Sequence, residues 1–313
     1  MAPSPDEPRR PAPAAGSRRR GLAGTLALAA GMAWRPARAE PRRIEITAGA
    51  GSFTFVDAAG LADRPLTVHT YLPPGLAARE APIVFVMHGH GKNASGYRDV
   101  WSEPARRHGF LAIVPHFDAI RWPHGDYSLG RVLAPDGRAR EPSQWSFSVV
   151  EHLFDAIRHD TGHAADRYSI YGHSEGGQFV HRLLLFLPSA RFARAAVANP
   201  GWYTMPTRDV DYPYGLGRTP VDDASLRTSL GRDVVLLLGE ADTGTHDTDL
   251  RRTPSAVAQG RNRFERGHAF FGQAEAAARR LRCPFGWRLK TVPGAWHSNA
   301  KMADASARAL MAR

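Results

Sequence analysis

Cysteine is nearly absent from the chain: Cys283 stands alone among 313 residues. A single thiol makes neither an intramolecular disulfide nor a CxxC pair, which excludes disulfide scaffolds and paired-cysteine metal or redox sites. A chain this long buries a sizeable core without such staples. Internal repeats and low-complexity segments are missing as well. The apolar run from Gly21 to Trp34 falls short of the about 20 residues needed to span a bilayer. Acidic side chains are outnumbered, 30 against 41 Lys plus Arg, for a net charge of +11. Seven of those Arg, however, lie within residues 1–39 beside only Asp6 and Glu7, leaving 34 basic against 28 acidic side chains for the rest. No stretch gathers that small excess beside aromatic residues in the manner of a single-strand groove, so nucleic acid is not an expected partner. What remains, 43% hydrophobic and 23% charged residues, is the composition of a globular protein.

The leader has a sequence of its own. Residues 1–20 are rich in Pro, Ala and Arg, the apolar run follows, and Ala37-Arg38-Ala39 closes it. That is the order of a secretory signal with an A-x-A cleavage site. Ser17-Arg18-Arg19-Arg20-Gly21-Leu22 resembles a twin-arginine export motif, with Gly21 where that motif usually carries Phe. No cysteine follows the apolar run to carry a lipid. The expectation is an export signal over residues 1–39 and a periplasmic or secreted protein beginning near Glu40, without a stable membrane anchor.

Beyond Glu40, short β-rich runs alternate with amphipathic helical stretches, the rhythm of an α/β protein built round a mostly parallel sheet. The runs 52–56 and 66–72 read as an antiparallel lead-in ended by Pro73-Pro74-Gly75. Buried-strand character returns at 82–87, 110–114, 168–171, 195–198, 233–238 and 288–292, which makes eight candidate strands. Helices fit 94–108, 149–157, 178–187, 263–281 and 300–311. Two segments, 118–147 and 201–231, are long, aperiodic and aromatic, as covers over a site are.

The chemistry centres on Gly172-His173-Ser174-Glu175-Gly176-Gly177, a G-x-S-x-G placed between a strand and a helix. A serine hydroxyl is a weak nucleophile and needs a base to take its proton and an acid to orient that base. Asp242 follows the strand Val234 to Leu238, and His297 follows the strand Leu289 to Val292, so the chain order Ser174, Asp242, His297 suits sites at the ends of parallel strands. Glu240, Asp247 and Asp249 rival Asp242, which is chosen for its place after the strand, and His246 and His268 rival His297, which alone has the strand-then-Gly-loop context after the acid. His88-Gly89-His90-Gly91 after the strand 82–87 is a natural donor turn: the backbone N–H groups of Glu175 and His90 are expected to hold an oxyanion. His88 and His90 could also be read as a metal pair, yet no third ligand is spaced to complete a site, so neither a metal nor a cofactor is expected. Cys283 reads as a buried, inert thiol.

From about residue 44 onward the chain resembles the α/β-hydrolases. The "HG" turn, the G-H-S-x-G-G elbow and the late G-x-x-H resemble esterases of the feruloyl esterase and poly(3-hydroxyalkanoate) depolymerase branch. The resemblance implies an α/β-hydrolase fold over residues 40–313, with a mostly parallel eight-stranded sheet, helices on both faces and two long cover loops. It implies a serine hydrolase that cleaves small or oligomeric carboxylic esters through an acyl-enzyme, with Ser174 as nucleophile, Asp242 as acid and His297 as base. The same elbow also serves serine peptidases of the prolyl-oligopeptidase type, and a catalytically silent binding protein on this fold is the remaining alternative.

Overall fold

The computed structural model describes residues 43–312. The leader expected over residues 1–39 lies outside them. The strands, in chain order, are β1 (Gly49–Phe55), β2 (Leu66–Leu72), β3 (Ile83–Met87), β4 (Leu111–His116), β5 (Tyr168–His173), β6 (Phe192–Ala198), β7 (Val234–Gly239) and β8 (Trp287–Val292). The helices are α1 (Ala94–His108), α2 (His124–Ser128), α3 (Ser148–Thr161), α4 (Glu175–Phe186), α5 (Asp223–Leu230), α6 (Pro254–Val257), α7 (Arg263–Leu281) and α8 (Asn299–Met311). All eight strands form one sheet in the order β1-β2-β4-β3-β5-β6-β7-β8. β2 pairs antiparallel with both β1 and β4, and every pairing from β4 across to β8 is parallel.

Side chains alternate between the faces of a strand, and both faces of this sheet are covered. Ile83, Phe85 and Met87 join the apolar cluster that includes residues of α3, α4, α5 and α7, whereas Val84 and Val86 face α1 and α8. Burial on both sides explains why β3 and β7 are continuously apolar rather than alternating. The helices stop where their caps dictate. Asn93 accepts from Gly96 N–H at the start of α1, Asn262 accepts from Glu265 N–H at the start of α7, and Gly162 ends α3 in the left-handed region.

Several boundaries differ from the sequence expectation. β6 reaches back to Phe192 because Phe192 pairs with Tyr168 across the sheet. α3 starts at Ser148 and continues to Thr161, where its polar last turn gives no apolar period to read. α4 starts at Glu175 rather than 178, since its first turn is Glu-Gly-Gly and carries no apolar side chain. Cys283 is partly exposed, not buried.

The two long covers are packed segments rather than open loops. Within 118–147, Trp122 and Tyr127 are fully buried, with Tyr127 stacked between Phe117 and Phe179. A third segment, 240–262, joins them at the same end of the sheet. Three arginines at this end are buried, and two of them bond the cover segments directly. Arg182 of α4 donates to Ser128 O and Thr204 Oγ1, and Arg266 of α7 donates to the carbonyls of Gly201, Arg251 and Gly260. The third, Arg263, belongs to the site itself.

Candidate active site

Ser174 occupies the single residue between β5 and α4, with φ 57° and ψ −118°. An L-residue holds such a conformation at a cost of about 1–3 kcal/mol and only where its surroundings impose it. Here they do so through glycine. A Cβ on Gly172 would stand 2.1 Å from Gly176 O, and a Cβ on Gly176 would stand 2.1 Å from Met87 O, so the elbow closes against β3 only with both side chains absent. Ser174 N–H donates to Ala198 O at 3.0 Å, and Ser174 O accepts from Gln178 N–H at 3.0 Å, anchoring the turn to β6 and α4.

The loops after β7 and β8 bring the other two groups to the hydroxyl. Glu240 N–H donates to Val292 O and Ala241 N–H to Ala295 O, which ties one loop to the other. Asp242, almost fully buried, places Oδ2 2.7 Å from His297 Nδ1, and His297 Nε2 lies 2.9 Å from Ser174 Oγ. A carboxylate only accepts, so Nδ1 carries the ring proton and Nε2 presents its lone pair to the hydroxyl. Chemically, this arrangement can take a proton from Ser174 and keep the resulting imidazolium oriented. The rivals fall elsewhere. Glu240 accepts from Thr291 Oγ1, Asp247 pairs with Arg263, Asp249 is exposed at the pocket rim, His246 is exposed, and the His268 ring packs edge-on against Phe264.

The turn after β3 runs beside the elbow. A Cβ on Gly89 would meet Tyr97 Oη at 2.8 Å and Ser174 Cβ at 3.5 Å. His90, Ser174 and Glu175 line one pocket, and Glu175 is the first residue of α4, where N–H groups have no intrahelical acceptor. His88 is not a metal ligand in waiting. Its Nδ1 donates to Gly89 O, its Nε2 accepts from Phe117 N–H, and burial pulls its pKa down to about 3. Among the described residues no His, Cys, Asp and Glu cluster is arranged to hold a metal ion, and no described helix is long and apolar enough to cross a membrane.

Several further residues support these three side chains. Arg263, the first residue of α7, approaches the second oxygen of Asp242 at 3.4 Å and also pairs with Asp247. Lys92 forms an ion pair with Glu175 at 3.1 Å, both largely buried, which joins the turn after β3 to the start of α4. His173, fully buried, bonds Tyr97 Oη through Nδ1 at 3.0 Å and lays its ring 4.8 Å from that of His297. Burial first, and then the neighbouring His297, hold its pKa well below the ordinary histidine value. Nothing in the chain's local pattern pointed to the Lys92–Glu175 pair or to Arg263.

Two clefts meet at Ser174. One, about 250 Å³, is lined by Gln178, Trp202, Arg251 and Arg263 among others. The second, about 180 Å³, is lined by Gly89, His90, Tyr97, His173 and His297.

A serine in a strained strand-to-helix elbow, met by a histidine and a carboxylate from the ends of later parallel strands, defines the α/β-hydrolase class. Poly(aspartic acid) hydrolase-1 from Sphingomonas sp. KT-1 is 40% identical and superposes with a TM-score of 0.81, covering 85% of this chain and 99% of its own. A poly(3-hydroxybutyrate) depolymerase from Bordetella parapertussis is 35% identical with a TM-score of 0.79, covering 84% of this chain and 90% of its own. The chain therefore belongs to the α/β-hydrolase superfamily, in its branch of esterases and depolymerases, and it is a hydrolase. An S-formylglutathione hydrolase from Agrobacterium tumefaciens, 18% identical with a TM-score of 0.54 over 86% of this chain and 98% of its own, shares the fold. No protein-family model and no curated protein matches the chain.

Proposed function

We propose that this hydrolase cleaves carboxylic esters through an acyl-enzyme, with Ser174, His297 and Asp242 as its triad. The observation that carries the reading is the unbroken line of hydrogen bonds from Asp242 through His297 to the hydroxyl of the strained Ser174. His297 Nε2 takes the proton as Ser174 Oγ attacks the ester carbonyl, and the carbonyl oxygen becomes an oxyanion facing the backbone N–H groups of Glu175 and His90. Collapse of this intermediate expels the alcohol, which leaves with the proton from His297. Water then enters, gives a proton to His297, attacks the acyl carbon and releases the acid with Ser174 restored. Loss of one oxyanion donor in such a site costs about 10²- to 10³-fold in rate.

Hydrolysis of p-nitrophenyl esters by protein beginning near Glu40, with Ser174→Ala beside it, tests the proposal. The expected loss in the variant is about 10⁴-fold or more, together with loss of fluorophosphonate labelling. Equal, negligible rates in both proteins would sink the ester reading, and an unlabelled wild-type protein would leave a silent binding protein.

A second reading is favoured by one comparison. The relative at 40% identity is named for poly(aspartic acid), a polymer joined by amide bonds, and the same proton transfers serve amide cleavage. Parallel assays with aminoacyl p-nitroanilides separate the two chemistries. Location is likewise a proposal: a leader over residues 1–39 that directs export to the periplasm or beyond. N-terminal sequencing of protein from an exported fraction checks it, and an intact Met1 there would overturn it.

A further inference from the structure

The two clefts at Ser174 differ in which catalytic group they contain. His297 must reach the leaving oxygen to protonate it, so the leaving group belongs in the cleft that His297 lines, and the acyl part belongs in the larger cleft toward Trp202 and Arg251. That larger cleft has an unusual charge pattern. Trp202, nearly buried, packs its ring against two guanidinium groups, Arg182 at 4.2 Å and Arg251 at 4.8 Å from its ring centre. Among the described residues neither arginine has a carboxylate partner.

Arg182 is fully buried, spends its donors on Ser128 O, Thr204 Oγ1 and Gln178, and leaves Nη2 without a hydrogen-bond partner. Burial lowers its pKa to about 10, with the positive charge of Arg251 adding to the pull. Arg251 is exposed at the cleft wall, and its Nε donates to Tyr214 Oη at 2.7 Å, which aims the guanidinium without neutralising it. Arg263 and Glu175, also in the wall, are already paired, with Asp242 and Asp247 and with Lys92. The opposing charge is Asp249, which is exposed at the junction of the clefts, where solvent screens it. Arg182 sits in low dielectric, where its field reaches further.

We propose that the larger cleft selects acyl groups ending in a carboxylate, which pairs with Arg251 over the face of Trp202 while Arg182 supplies uncompensated positive charge from behind. This rests on Ser174 being the nucleophile, but it specifies the substrate class: half-esters of dicarboxylic acids, or acidic acyl units of a chain. Arg251 is the specificity residue that touches substrate, and Arg182 acts through Trp202 and Gln178 as a positioning residue.

The test compares mono(p-nitrophenyl) glutarate with its methyl-capped diester, which has the same acyl length and no charge. The wild-type protein is expected to prefer the charged ester, increasingly so at low salt. Arg251→Gln should lower the ratio of kcat/KM for the charged ester over that for the capped diester about 10- to 100-fold, the range of a charged hydrogen bond. An equal change for both esters, or a wild-type preference for the capped one, overturns the proposal. If neither ester is hydrolysed, glutarate binding to the Ser174→Ala protein by calorimetry still decides. Binding that weakens about tenfold or more in Arg251→Gln/Ser174→Ala supports the anion cleft although the ester reading fails. Absent or unchanged binding overturns it.

Discussion

Three fully buried histidines differ in what their ring nitrogens meet, and that difference separates support from chemistry. His88 and His181 each use both nitrogens on backbone groups, His181 on Gly177 O and Thr204 N–H, and so serve as fixed struts. His173 instead touches the working parts: its ring lies against His297, and Tyr97 Oη joins it to the Gly89 turn. Tyr97→Phe removes that hydrogen bond while keeping the ring. The expected result is a roughly 5- to 10-fold fall in kcat for p-nitrophenyl esters, about 1 kcal/mol in a hydrogen bond, with KM within about twofold. Steady-state kinetics on the two proteins checks it, and a change confined to KM would place Tyr97 in binding instead.

At the scale of elements, α4 and α7 do more than cover the sheet. Each sends a buried arginine to the cover segments, so the pocket walls are held by side chain to backbone bonds rather than by their own regular structure. Gln259 adds a paired contact, accepting from Tyr203 N–H and donating to Tyr203 O. Arg266→Met leaves the carbonyls of Gly201, Arg251 and Gly260 without that donor. Of the three contacts only that to Gly201 O is buried and the others are part-buried, and a carbonyl left unsatisfied in a buried place costs about 1–3 kcal/mol, so a loss of about 1–3 kcal/mol in unfolding free energy is expected. Urea denaturation measures this, and limited proteolysis should show new cleavage within 201–262. Unchanged stability would mean that water replaces the guanidinium at all three carbonyls.

For the whole molecule, pH acts through the buried imidazoles. Burial lowers the pKa of His88, to about 3, and drives those of His173 and His181 well below the ordinary value of 6.5. The unfolded chain binds those protons more readily, so their contribution to stability is complete above pH 6.5 and is lost as pH falls toward the folded values. Three such groups give a limiting slope of about 4 kcal/mol per pH unit once the unfolded histidines are protonated. His152 works in the opposite sense: its hydrogen bond to Asp57 raises its pKa, so that contribution is present below 6.5 and is lost as pH rises through the raised value. The urea midpoint should therefore fall steeply from pH 6.5 to pH 5, and a flat profile there would show that these histidines stay solvated.

Much of this architecture was legible in the chain. Continuous apolar runs such as 83–87 and 234–238 mark strands buried on both faces, and the Gly-x-Ser-x-Gly between strand and helix identifies the elbow, because few residues other than glycine fit where a Cβ would meet Gly176 O or Met87 O. The order Ser174, Asp242, His297 followed from strand ends, and the structure brings those three side chains together. What local pattern does not encode is what a polar side chain meets across the fold. No local pattern marks Arg182, Arg263 and Arg266 as buried, yet each is, because its hydrogen-bond partners lie on segments distant in the chain. The sequence by itself determined the sheet, the elbow and the candidate nucleophile, since these depend on short-range periodicity and steric limits. The tertiary structure alone decided the pocket: its walls come from His90 and from residues 125–129, 174–178, 201–202 and 249–263, and their charges acquire meaning only when set beside one another.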